Sequence, residues 1–352
     1  AKGDDATVSF GSSRDLKPTG TVLFVNCPYP TLDEDAAPTG TVTIGPLCQN
    51  PYTTSSVFNI SGMSYGAISA PAVRALSHGA RKADMWMNTG EGGMSPFHQE
   101  SGCDLIYQIG TAKYGVRDEH GNFSEAKLRE ITGLPQVKMV EVKLSQGAKP
   151  GKGGILPADK VTEEIARIRG IPVGIASLSP NRHAEVASNA ELLDFIARVR
   201  EVSGLPTGFK TAMGSVEWLE DLCKLIKKRG AASAPDFITI DSGDGGTGAA
   251  PMPLIDNTAL TIREALPMVV DVLERYKLKG RIRVICAGKL ITPAEVAWAY
   301  CAGADFVNSA RGFMFALGCI QSLKCNKNTC PTGITTHQRH LQRGLDPADK
   351  AV

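Results

Sequence analysis

TGFKTAMGSVEWLEDLCKLIKKRGAASAPDFITIDSG, residues 207–243, holds one complete strand, helix and strand in a single run. TGFKTAM and FITIDSG are β-prone, and Val216, Leu219, Leu222 and Ile226 between them fall on one helical face that stops at Gly230. The same alternation extends in both directions. β-prone runs read as FNISGMS (58–64), MWMNTG (85–90), MVEVKLS (139–145), PVGIASL (172–178), TGFKTAM, FITIDSG, RVICAGK (283–289) and DFVNSA (305–310). Strands alternating with helices of about 10–15 residues signal βαβ units and a parallel sheet. Eight units over this length match a (β/α)8 TIM barrel, whereas a doubly wound sheet uses five or six strands.

Helix punctuation supports the pattern. Thr292-Pro293-Ala294-Glu295 is a capping box with proline in the first turn, and Val161, Ile165 and Ile168 line one face before Gly170. Residues 1–57 are rich in Pro, Gly, Thr and Asp and are expected to form an extended segment ahead of a barrel over 58–352. Residues 92–136 read as a long loop between the second and third strands, either functional or a lid.

Of the 352 residues 42% are hydrophobic, ample for a core. Thirty-eight basic residues against 36 acidic, without a polybasic block, argue against nucleic acid and anionic membrane. Small molecules are the expected partners. Cys27, Cys48, Cys103, Cys223, Cys286 and Cys301 are scattered singly, suggesting core thiols in a reducing, cytoplasmic compartment. No run reaches the roughly 18 apolar residues of a membrane span, and no signal peptide opens the chain. Residue 1 is alanine rather than methionine, which leaves open both an excised or processed piece and an anchoring segment ahead of it.

The remaining three cysteines stand together. Cys319, Cys325 and Cys330, in GCIQSLKCNKNTCPTG (318–333), are separated by five and four residues. Three close thiolates with no fourth ligand in the same loop suit a 3Fe-4S cluster better than a structural zinc site. NSARGFMFAL (308–317), just before them, reads as a turn and helix start able to hold a phosphate.

In a TIM barrel the active site lies where the strands end. Those ends read GMSYG (62–66), NTGEGG (88–93), KLSQGAKPGKGG (143–154), SGDGGTGAAP (242–251), AGKL (287–290) and SARG (309–312). Gly288, Lys289, Arg311 and Gly312 fit a phosphate site after the last two strands, or else Gly288 and Gly312 merely make tight turns beside solvated cations. GDGGTG has the spacing of neither a P-loop nor a dinucleotide fingerprint, which favours a mononucleotide. Lys143 and Lys210 end apolar strands at the barrel mouth. Each faces either an anionic reduced flavin or a carboxylate such as Asp241 or Glu91. Glu91, between two glycines, suits an amine or imine nitrogen, and Lys149, Lys152 and Arg169 suit the carboxylates of a dicarboxylate, although Arg169 also sits at a helix end.

NTGEGG, EVKLSQGAKPG, SGDGGTGAAP and ALGC-x5-CNKNTCPTG occur in the order and spacing of the FMN-binding synthase domain of glutamate synthases. The chain resembles that family from about residue 55 to 340, above all its short, stand-alone bacterial members. The resemblance implies a (β/α)8 barrel, FMN, a 3Fe-4S cluster on Cys319, Cys325 and Cys330, and reduction of 2-iminoglutarate, from 2-oxoglutarate and ammonia, to L-glutamate. It also implies a flavin site containing Gly62, Met63, Ser64, Asn88, Gln108, Lys143, Gly245, Gly246, Gly288, Gly312 and their neighbours, among them Lys210, Asp241, Thr247, Lys289 and Arg311. Glu91, Lys149 and Arg169 match substrate-handling positions. The implied electron donor is a ferredoxin or a reductase subunit, and ammonia is free or comes from a separate glutaminase subunit. GAKPGKGGILPA departs from the long enzymes' GAKPGEGGQLPG at Lys152 and Ile155, which leaves room for another amino or keto acid, as in N-methylglutamate synthesis; a pure electron-transfer module is a separate alternative, against which Glu91 and the cations at the barrel mouth argue.

Overall fold

Alternation along the strands sets the architecture. In VKMVEVK, residues 137–143, Val140 and Val142 are buried in the large apolar cluster built with the helices, whereas Met139 belongs to a separate cluster and shares its side of the strand with Glu141 and Lys143. FITID repeats the division: Ile238 and Ile240 pack outward, and Phe237, Thr239 and Asp241 face inward. An inner face that runs from apolar to charged gives the barrel a dry end and a polar end.

The computed structural model describes residues 24–37, 40–149, 153–243, 245, 248, 250–251, 253–255 and 257–352. It divides into compact units at 1–40 and 41–352. In the first, the described residues hold one 3-10 turn, Asp33–Asp35. The second is the barrel. Its strands are β1 (Phe58–Ile60), β2 (Met87–Asn88), β3 (Leu105–Ile109), β4 (Val137–Lys143), β5 (Thr207–Ala212), β6 (Phe237–Asp241), β7 (Arg283–Ala287) and β8 (Phe306–Ser309). Each pairs in parallel with the next, and β8 pairs with β1 to close the ring.

The helices are α1 (Ala70–Lys82), α2 (Pro96–Gln99), α3 (Glu125–Thr132), α4 (Glu163–Arg169), α5 (Asn189–Ser203), α6 (Glu217–Arg229), α7 (Ile262–Arg275), α8 (Pro293–Cys301), α9 (Arg311–Ala316), α10 (Arg339–Gln342) and α11 (Pro347–Lys350). The Thr292 capping box is formed, and α4 ends at Gly170 in the left-handed conformation, as the sequence pattern requires. The barrel floor is closed by an antiparallel hairpin, Val42–Ile44 with Tyr52–Thr54, whose Ile44 and Tyr52 pack with Trp86, Ile106, Phe237, Ile285 and Phe306. Gly208 of β5 makes room there, since a Cβ would lie 2.2 Å from the Phe237 carbonyl oxygen.

Eight strands form, but not the eight expected. PVGIASL is no barrel strand: Val173, Ile175 and Leu178 are exposed, and only Ser177–Leu178 pairs, antiparallel, with Ile155–Leu156. The third strand is instead LIYQI, inside the stretch read as a loop, and every residue of it is buried. A short apolar run carries no record of whether it will be covered, and α2, only four residues long, gives little helical spacing to announce β3. The long excursion therefore lies between β4 and β5. Cys27 and Cys301 also depart from expectation, being exposed rather than in the core.

Candidate active site

A cavity of about 510 Å³ opens at the strand C-termini, within the roughly 300–1,000 Å³ typical of cofactor and small-ligand sites. Gly62, Met63, Ser64, Glu91, Gln108, Lys143, Lys149, Arg169, Lys210, Asp241, Gly245, Gly288, Lys289 and Arg311 all line it. The β4–β5 excursion roofs it with Ile155, Leu156, Pro157, Lys160 and Ser179. Gly288 has φ +129°, and a Cβ there would lie 2.2 Å from that of Ser242, so only glycine makes this turn. Asn88 and Gly312 sit behind the wall, the latter against the Ser309 side chain. Lys152, Gly246 and Thr247 lie outside the described residues.

Each of the two strand-end lysines takes a carboxylate partner, as one of the two readings has it. Lys143 lines the cavity and pairs with Glu91 at 3.2 Å, while Lys210 lines it and pairs with Asp241 at 3.3 Å. Burial opposes the Glu91 carboxylate, but Lys143, Lys149 and Arg169 outweigh it and hold the acid below its usual range. For Lys210, burial works against the ammonium and the Asp241 and Glu141 carboxylates overcome it, raising its pKa. Asp241 also accepts hydrogen bonds from the Gly147 and Ser242 N–H groups, both 3.1 Å, and so anchors the loop after β4. Arg169 is buried, bonds Ser177 Oγ and the Tyr65 carbonyl, and stacks on Tyr114 with 5.1 Å between guanidinium carbon and ring centre. Glu91 thus stands among Lys143, Lys149 and Arg169 in a wall of charged groups suited to a small polar acid.

Behind this wall three histidines, His98 and His183 buried and His337 half-buried, hold its backbone. His98, His183 and His337 meet the carbonyls of Met63, Lys143 and Gly66 through Nε2 at 2.8, 2.9 and 2.8 Å. The Ser95 N–H donates to His98 Nδ1, so the ring is neutral with its proton on Nε2. Burial lowers the pKa of His98 and of His183 to about 4.

Cys319 and Cys325 line the same cavity, and Cys330 is buried nearby in the loop. Burial pushes the Cys330 thiol up, but hydrogen bonds from Thr332 and Thr335 bring it down to about 7. Lys160 donates to the Cys325 carbonyl at 2.8 Å and to that of Ala67 at 3.1 Å, tying loop to barrel. Three thiols suit iron and sulfide as a donor set. Among the described residues, however, no three His, Cys, Asp or Glu side chains converge closely enough to hold a metal ion.

The family model for the conserved region in glutamate synthase matches residues 32–352. This chain belongs to the glutamate synthase family. Within the family it is 43% identical over 304 residues to the glutamate synthase large subunit-like protein YerD of Bacillus subtilis, covering 86% of this chain and 57% of that protein. An archaeal-type glutamate synthase [NADPH] of Thermotoga neapolitana is 34% identical, with 82% of this chain and 53% of the relative covered. The glutamate synthase-family chain thus spans little more than half the length of these relatives. Among solved structures, a putative lactate oxidase of Pediococcus acidilactici matches over 90% of this chain and 78% of its own, with a TM-score of 0.52 at 11% identity, a likeness of fold.

Sequence reading of this glutamate synthase-family site missed Glu141 and the three histidines. Glu141 carried a signal, a carboxylate two residues before Lys143 in an apolar strand. The histidines carried none, because their partners are main-chain carbonyls far along the chain. Among the described residues no helix is long and apolar enough to cross a membrane.

Proposed function

We propose that the barrel, residues 58–352 with the cysteine loop 319–330 inside it, is an FMN-dependent oxidoreductase of glutamate-synthase type that reduces 2-iminoglutarate to L-glutamate. The observation that carries this reading is Glu91, a carboxylate held among Lys143, Lys149 and Arg169 on a cavity large enough for a flavin. FMN, when bound, would supply the hydride for the imine carbon. Gly62, Met63, Ser64, Gln108, Lys143, Lys210, Gly245 and Gly288 would hold it, with Lys289 and Arg311, which also line the cavity, toward its phosphate. Lys143 and Lys210, each held by its carboxylate partner, would present N–H donors to the flavin at the floor of the cavity. Arg169 and Lys149 bind the two carboxylates of the acid. Glu91 accepts a hydrogen bond from the substrate nitrogen and fixes its position. Ile155, Leu156, Pro157 and Lys160 would cover a bound substrate.

Cys319, Cys325 and Cys330 are the proposed ligands of a 3Fe-4S cluster, which would relay electrons from a ferredoxin or a reductase subunit. Ammonia, in this reading, is free or delivered by a glutaminase subunit. The deciding experiment is anaerobic: reduce the purified protein chemically, add 2-oxoglutarate with ammonium, and follow return of the oxidised flavin band. Rapid return with L-glutamate as product is expected. No return, with FMN bound, refutes glutamate formation.

Ile155 favours a second reading of the substrate. Its side chain lines the cavity beside Gly154, which lies against the Glu91 carboxylate. An apolar wall there suits an imine that carries an alkyl group. Faster flavin return with methylamine than with ammonium would establish it.

A further inference from the structure

Glu141 is fully buried on the inner face of β4, and its carboxylate accepts three hydrogen bonds. Asn88 Nδ2 lies 2.8 Å and Gln108 Nε2 2.6 Å from Oε1, and the Thr239 hydroxyl donates to Oε2. Three donors converging on one buried carboxylate leave each amide a single orientation, because a carboxylate group used in this way only accepts. Neither amide can turn over. For Asn88 the consequence is visible: with Nδ2 committed, Oδ1 accepts the Gly90 N–H at 2.9 Å and pins the turn that carries Glu91. For Gln108 the consequence falls on the cavity it lines. Its carbonyl oxygen accepts no hydrogen bond among the described residues, and it is left, with the second N–H of the amide, for a ligand.

We propose that Glu141 is a positioning residue that locks Gln108 so that an acceptor and a donor, side by side, meet the pyrimidine edge of the flavin. That edge offers one ring N–H, at N3, next to carbonyl oxygens, which is the complementary pair. This inference rests on the FMN reading. The same carboxylate, through Asn88, sets the turn of Glu91, so one buried group orients both the cofactor floor and the substrate-facing acid.

The test compares FMN with N3-methyl-FMN, which lacks the ring N–H, by fluorescence titration of apoprotein. Wild-type protein should bind the methylated flavin at least about tenfold more weakly, the effect of one unmet buried hydrogen bond. Glu141→Gln introduces an amide that donates as well as accepts, which frees Gln108 to turn, so the preference should shrink to about threefold or less. Gln108→Leu should abolish it. A merely structural role for Glu141 would weaken both flavins equally and leave their ratio intact. Where E141Q does not fold, Glu141→Asp withdraws the carboxylate by one methylene and should reduce the ratio in the same way. An unchanged ratio in the folded position-141 variant, or no ratio in wild-type protein that binds FMN, overturns the inference alone. Wild-type protein that takes up no FMN overturns the FMN reading with it.

Discussion

The two ends of the barrel are built by the same strands and obey opposite rules. At the floor, Trp86, Phe237, Ile285 and Phe306 meet the hairpin residues Ile44 and Tyr52 in a dry cluster. Two residues further along β6 stands Thr239, and two further Asp241; along β4 the sequence Met139, Glu141, Lys143 makes the same climb. Burial is nearly equal at both ends, since Lys143, Lys210 and Asp241 are each 8% exposed. What differs is how burial is made tolerable. The floor gains from apolar area removed from water, whereas the mouth keeps ionised groups out of water only by pairing them. Stability should therefore reside mainly in the floor, and chemistry in the mouth.

Phe306→Ala is expected to produce the largest loss of stability, about 3–5 kcal/mol in denaturant unfolding, because the hairpin cannot collapse into the space left by the ring. FMN affinity of the folded fraction should stay within about twofold. A large fall in affinity would show that the two ends are coupled.

Acid should attack the mouth first. His98 and His183 are neutral in the folded protein with pKa about 4, against an ordinary value of 6.5. Between those limits the unfolded chain binds protons that the folded chain refuses, so stability is complete above pH 6.5 and falls as pH drops toward 4, by about 3 kcal/mol for each ring. His98→Gln should remove about that much of the acid loss in unfolding experiments run across this range. An equally steep fall in H98Q would show that His98 is protonated in the fold.

Gly208→Ala tests the fit of the floor. The added methyl meets the Phe237 ring and carbonyl, and an overpacked core typically loses about 1–3 kcal/mol. Unchanged stability would mean that β5 and β6 can separate locally.

Glu91→Gln leaves Lys143 hydrogen-bonded to Gln146. Flavin reoxidation by the imino acid should nevertheless slow about 100-fold. A variant that reoxidises as fast as the wild type would remove Glu91 from the site and blur the division between floor and mouth.

Much of this arrangement is legible in the sequence, and the misses are physical ones. The barrel is announced by period-2 strands between period-3.6 helices, and the cavity by glycine and charge at strand ends. LIYQI was hidden because a fully buried strand shows no alternation, while PVGIASL mimicked a strand because its exposed Val173 and Ile175 are as apolar as core residues. The ligand-facing residues were easier to find than the groups behind them. Gln108 and Asn88 stand out in motifs; Glu141, which orients both, is one acid in an apolar strand and declares its role only through its partners.

The sequence by itself determined the repeating strand-helix fold, the inward and outward faces of alternating strands such as β4 and β6, and the gathering of glycine, lysine and cysteine near one end of the barrel. These follow from local periodicity and chain order. Tertiary structure alone decided which charges meet: Glu141 joins Asn88 and Thr239, 53 and 98 residues away, and His337 reaches the Gly66 carbonyl across 271. Local pattern says that a strand has an inner face, but closing the ring sets which inner faces oppose one another, and electrostatic pairing over a few ångströms depends on that closure.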